Sequence, residues 1–224
     1  MCSAHNAKRC ITIARRQLAC ETGLIQNADG SAQFKHGNTT VLATVHGPKA
    51  ASHRDQQHDT AVLDVVWRSR HDTGEEGDAS DKIKEHSIRQ ALESAVLLDA
   101  HPRASITLTC TVLYDDGAAV ACAVNAACAA LVNAGIAMRG MCGAMAAAVD
   151  AHGEVLVDCT RSEEEHAAGG ALVVGLIASG GEPLMVEVEG VMGDAGEADN
   201  VVQCCVGALS AVGGALRGAL STVS

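Results

Sequence analysis

The chain has 224 residues, and a hydrophobic content of 48% is enough for a sizeable core and against general disorder. Its formal net charge is −11, from 27 acidic and 16 basic residues, which argues against a free-standing binder of nucleic-acid phosphates. Phe34, Trp67 and Tyr114 are the only aromatic residues, so the core has to be aliphatic and base stacking has little to work with.

No apolar run approaches a membrane span, and the opening "MCSAHNAKRC" lacks the apolar centre of a signal peptide. The ten cysteines fall mostly in apolar segments such as "VACAVNAAC" and "VVQCCVGAL". They read as small, buried, reduced thiols, which points to an intracellular compartment. No CxxC pair occurs, so no metal site is expected. His53 and His58 sit in a polar loop and read as solvated.

In chain order, residues 23–47 read as a hairpin or meander. Asp29-Gly30 and Gly37-Asn38 supply the turns, and Val41, Ala43 and Val45 share one strand face. "AVLDVVW" (61–67) is a second short strand, and 68–81 is a charged loop. A helix is expected to open at Ser80 or Asp81, with Ile83, Ile88, Leu92 and Val96 near helical spacing and His101-Pro102 at its end. "SITLTCTVL" alternates, with Ile106, Leu108, Cys110 and Val112 on one face and threonines on the other, which predicts a half-buried antiparallel strand.

The next stretch, "YDDGAAVACAVNAACAALVNAGIAMRG" (114–140), reads as a turn followed by a helix that is apolar nearly all round and therefore buried between layers. Strands follow at "GAMAAAVD", "EVLVD", "ALVVGLIAS" and "LMVEVEG". A last helix runs through Val202, Cys205, Val206, Leu209, Val212 and Leu216, weakened locally by Gly213-Gly214. Groups of strands followed by a helix in both halves predict an α+β fold of two related halves.

Several of these segments resemble the RNase PH family, in particular its exosome ring subunits. "DGSAQFKHGNTTVLATVHGP" is similar to the family's early signature. "IRQALESAVLLDAHPRASI" is similar to its first long helix and Pro-Arg turn, and "NAACAALVNAGIAMRG" to its central helix and turn. The resemblance implies an RNase PH-type fold (ribosomal protein S5 domain 2-like), with two pseudo-repeated halves of mixed β-sheet and packed helices. It divides the chain into an N-terminal extension, 1–19, and a single domain, 20–224.

Active members of the family cleave RNA by phosphorolysis, which needs cations around the attacking phosphate and carboxylates for acid catalysis. A Gly-(Ser/Thr)-Arg triplet is expected at the start of the central helix, where backbone N–H groups and a guanidinium hold phosphate. Here the triplet is Gly117-Ala118-Ala119, a degenerate phosphate site. The family's pair of aspartates falls on Glu164 and Gly170, a degenerate acidic site. The run around Glu163, Glu164 and Glu165 reads as a solvated acidic turn. Ala79 and Ser80 stand where active relatives carry a basic pair.

The resemblance thus implies a non-catalytic ring subunit with no cofactor. Its expected partners are other RNase PH-like subunits in a six-membered ring, S1/KH-type cap subunits, associated exoribonucleases, and RNA through the assembled complex. The expected locations are nucleus, nucleolus and cytoplasm. Arg68, Arg70, Lys82 and Arg89 flank the loop that faces the channel in such rings and are weak RNA-binding candidates. The competing readings are an active phosphorolytic 3′-to-5′ exoribonuclease, hydrolysis through "SEEEH", and a redox protein using Cys204-Cys205. The last pair sits on an apolar helix, where thiols are inert more often than reactive.

Overall fold

A computed structural model describes residues 16–51, 57–69, 79–150, 155–177, 182–190 and 195–221. The first sheet is built from β1 (Leu18–Thr22), β2 (Gly30–His36), β3 (Thr39–Ala50), β4 (Val62–Arg68) and β5 (Ala104–Tyr114), in the order β1-β2-β3-β5-β4. The Gly37-Asn38 turn joins β2 to β3, with Gly37 at φ 61°, the left-handed region that glycine enters without strain. Val41, Ala43 and Val45 are buried on one face, as the alternation requires.

β5 buries Ile106, Leu108, Cys110 and Val112, but its pairing is mixed. It runs antiparallel to β3 and parallel to β4. The parallel side follows from connectivity: helix α1 (Ala79–Ala95) lies between β4 and β5 in the chain, and a crossover of this kind returns the strand in the same direction. α1 has already begun at Ala79, so Ser80 and Asp81 lie in its first turn. A short 3-10 turn at Leu98–Ala100 separates α1 from His101-Pro102. The buried stripe of α1 is Ser87, Ile88, Ala91, Leu92 and Ala95. Ile83 is 56% exposed; five residues before Ile88, it sits roughly 140° round the helix from that stripe.

The second sheet contains β6 (Cys142–Val149), β7 (Val155–Val157), β8 (Gly169–Leu176) and β9 (Glu182–Gly190), ordered β7-β6-β8-β9 and antiparallel throughout. Helix α2 (Ala119–Asn133) packs on β2 and β3 on one side and on β6 on the other. Ala121 through Leu131 are all buried, and the alanine and cysteine side chains let both sheets come close. α4 (Ala195–Ser221) lies against β1 and β6. It runs unbroken through Gly213-Gly214, and a Cβ at Gly213 would collide with Ile177. Gly213 is therefore a packing device, whereas a Cβ at Gly214 would meet nothing within 4 Å.

α2 also carries a buried polar residue. Asn125 donates its Nδ2–H to the carbonyl of Ala144 at 3.0 Å and accepts the Ala144 N–H at 2.8 Å. β7 pairs with β6 only from Ala147 to Val149, so the side-chain amide serves Ala144 where the short strand does not reach.

Candidate functional site

At the start of α2 the chain leaves β5, turns through Asp115, Asp116 and Gly117, and enters the helix at Ala118. Gly117 has φ 92° and Ala118, the N-cap, φ 55°, a left-handed conformation unusual for alanine. A Cβ at Gly117 would lie 2.6–2.8 Å from the backbone of Cys159, Thr160 and Arg161, so glycine is required by that approach. Thr39 Oγ1 donates to the Gly117 carbonyl at 2.7 Å and accepts the Asp116 N–H at 3.0 Å. Asn38 donates to Asp116 Oδ2 at 3.0 Å.

The acidic run expected as a turn forms α3 (Arg161–His166), with Thr160 and Glu163 in a capping box. Glu164 projects from it to the head of α2, where the Ala118 N–H donates to Glu164 Oε1 at 2.6 Å. The Cys159 thiol lies 3.7 Å from the same oxygen. Burial raises the Glu164 pKa above the ordinary carboxylate value, against the lowering effect of the Ala118 N–H. Burial likewise pushes the Cys159 thiol up to about 12. Glu164 is thus a side-chain cap for a helix whose own N-cap residue has no polar side chain.

Gly117, Ala118, Ala119 and Glu164 therefore converge. Gly170 lies at the start of β8, paired with Ala148 and Glu189. A Cβ there would meet only the Ala147 carbonyl, at 3.7 Å, so a longer side chain is sterically admissible. Arg68 is exposed at the end of β4, in register with Thr111, and Lys82 is exposed on α1. Arg89 is engaged with Asp64 at 3.3 Å. Arg70 lies outside the described residues, as do Glu75, Glu76 and Asp78. Among the described residues no group of three or more His, Cys, Asp or Glu is placed to hold a metal ion.

Behind the α2 loop is a polar cluster to which sequence reasoning assigned no role. Asp158, at φ 68°, accepts from Arg16 Nε at 2.7 Å and from the Arg16 backbone N–H at 3.1 Å. Arg16 also donates to the carbonyls of Asp116 (3.1 Å) and Cys159 (2.9 Å). His36 Nε2 lies 2.7 Å from Asp158 Oδ1, off the line of an ideal hydrogen bond, and Nδ1 has no partner. Burial pushes the Asp158 carboxyl up, but His36 and Arg16 outweigh it and hold the group below its ordinary value. One signal was available: His36 continues the inward face of Ala32 and Phe34, an unusual place for an imidazole.

An α/β protein with a helix sandwiched between two sheets, and a glycine loop at the head of that helix, is the class these features define. The sequence profile of the 3′ exoribonuclease family, domain 1, matches residues 14–137. The chain belongs to that family, the RNase PH family. It is 35% identical to the exosome complex exonuclease RRP46 homolog of Oryza sativa over 150 residues, 67% of this chain and 62% of the relative. The corresponding Arabidopsis thaliana protein is 33% identical over the same shares, so the chain spans about 62% of the length of these two relatives. The human exosome complex component RRP41 is 35% identical over 78% of this chain and 74% of its own length. The crystal structure of rice Rrp46 superposes with a TM-score of 0.81 at 30% identity, covering 90% of this chain and 93% of that one. An Archaeoglobus fulgidus exosome with RNA bound to the active site shares the fold, with a TM-score of 0.73 at 19% identity over 86% and 85% of the two chains.

Proposed function

We propose that the chain is a non-catalytic ring subunit of an RNA exosome core, supporting 3′-to-5′ RNA processing and degradation by organising the channel and its associated nucleases. The relatives named as exosome components support membership of such a complex. On this reading its partners are other RNase PH-like subunits, S1/KH-type caps, exoribonucleases, and RNA passing through the assembly. Its locations are nucleus, nucleolus and cytoplasm.

The observation that carries the non-catalytic part is the Glu164 carboxylate on the Ala118 N–H at 2.6 Å. An orthophosphate drawn to the head of α2 would meet an anion already seated there. Neither Ala118 nor Ala119 supplies a hydroxyl or guanidinium to outweigh it. Loss of one such group costs ~10²–10⁴ in rate, and several are missing.

The second reading is an active phosphorolytic exoribonuclease. The name of the rice and Arabidopsis relatives includes "exonuclease", and Glu164 is a carboxylate retained at the loop. Incubating highly purified chain with single-stranded RNA and inorganic phosphate separates the two. The expected result is no release of nucleoside diphosphates. Phosphate-dependent shortening abolished by Glu164→Gln would establish the second reading in place of the first.

A further inference from the structure

The second sheet ends on β9, which has β8 on one side and, among the described residues, no strand on the other. Its side chains divide between the two faces. Val186 lies opposite Val173 and Val188 opposite Ala171, so both continue a row that is buried on β8. At the edge the row emerges: Val186 is 43% and Val188 46% exposed. On the other face Glu187 and Glu189 lie opposite Leu172 and Gly170.

An open edge presents unpaired backbone N–H and C=O groups and is a template for a further strand. Proline, bulges and charged side chains, lysine above all, are the usual guards. Pro183 and the register shift between Val174 and Gly175 guard only the first residues of β9. The stretch 184–190, "LMVEVEG", has no basic residue. Glu187 accepts from the Ser87 hydroxyl at 2.9 Å. Among the described residues, none of Glu182, Glu187 and Glu189 is in a salt bridge. These acids do guard the edge against its own copy. The antiparallel register that sets Val186 opposite Val188 also sets Glu187 opposite Glu187, and like charges directly opposite are destabilising.

We propose that β9 is a docking edge for a β-strand of a different protein chain, in which apolar residues alternate with lysine or arginine. Added to the sheet, such a strand sets its apolar side chains beside Val186 and Val188. Its cations then fall beside Glu187 and Glu189, on the opposite face. Main-chain hydrogen bonds supply the attachment and the alternation supplies the selectivity. Charge complementarity picks the partner, because opposite charges across a strand pair contribute where like charges cost.

The probe is an end-capped peptide of alternating valine and lysine, titrated into the full chain and read by equilibrium binding and amide hydrogen exchange. It is expected to saturate and to slow exchange within 184–190, while the same peptide with glutamate for lysine does neither. Glu187→Gln combined with Glu189→Gln should weaken binding about tenfold. Glutamine keeps an acceptor for the Ser87 hydroxyl, so this variant retains the contact between α1 and β9. Glu21→Gln combined with Asp29→Asn removes the same charge from the first sheet and should bind as the parent does. A valine-lysine peptide N-methylated at every residue keeps its side chains and loses its main-chain donors. It should not bind, which separates strand addition from plain charge attraction. The proposal is overturned if the unmethylated peptide does not saturate, if the glutamine pair binds it like the parent, or if the methylated peptide binds equally well. A dimer of the chain itself that the peptide dissociates would assign the edge to a second copy and overturn it too.

Discussion

At the scale of single residues, Glu164 has a structural role that its sequence context hid. Because its carboxylate caps α2 from another element, Glu164→Ala should cost about 1 kcal/mol, the usual loss when a helix cap is removed. Glu164→Gln keeps an acceptor oxygen and should lose less. The raised pKa gives a sign to the pH dependence. A folded-state value above the unfolded one contributes stability at low pH, and that contribution is lost as pH rises through the raised value. The Gln variant should therefore gain on the parent as pH rises through that window, measured by urea midpoints. Asp158 behaves oppositely. Its depressed pKa contributes stability above the ordinary carboxylate value of about 4, lost as pH falls through the folded-state value. Asp158→Asn should flatten this acid limb and cost about 3–5 kcal/mol at neutral pH, since Arg16 would be left without its buried partner.

At the scale of elements, α2 is the piece on which both sheets depend, and its contribution is close packing with one polar exception. Asn125→Ala would leave the N–H and C=O of Ala144 without partners inside the core. The expected loss is about 1–3 kcal/mol for each group, seen as a lower thermal midpoint with the fold retained. α4 makes the opposite demand, for absence of a side chain. Gly213→Ala gains intrinsic helix propensity but drives a methyl into Ile177, which is 7% exposed and cannot move into solvent. Overpacking should prevail, destabilising by about 1–3 kcal/mol. Gly207→Ala on the open side of the same helix should stabilise slightly, because a Cβ there meets nothing within 4 Å. Comparing the two substitutions separates packing from propensity.

For the whole molecule, charge sets the expectation about RNA. With a net charge of −11, and with Arg16, Arg89 and Arg161 already paired with carboxylates, the isolated chain has few cations to offer a phosphate backbone. Filter binding with single-stranded RNA at physiological salt should show only weak association, with affinity appearing when basic partners complete the surface. Submicromolar binding by the lone chain would contradict this.

The parts of the fold that follow from local repeats were legible in the sequence. Alternation in 105–113 and 41–45 determined which strand faces are buried, since a strand turns its side chains over every second residue. The apolar character of 119–131, broken only by Asn125, determined that this helix is enclosed on nearly every side. Tertiary structure decided what depends on segments far apart in the chain. Arg16 meets Asp158 across 142 positions, and no periodicity links them. Ile83 matched an apolar pattern but lies off the face that α1 presents to β4, and only docking settles which face that is. Glu164 is exposed like its neighbours Glu163 and Glu165, as a solvated acidic run would be, but composition records charge and not direction. The short helix α3 and the tight approach at Gly117 bring that carboxylate to the Ala118 N–H, a contact between residues 46 positions apart that no local pattern announces.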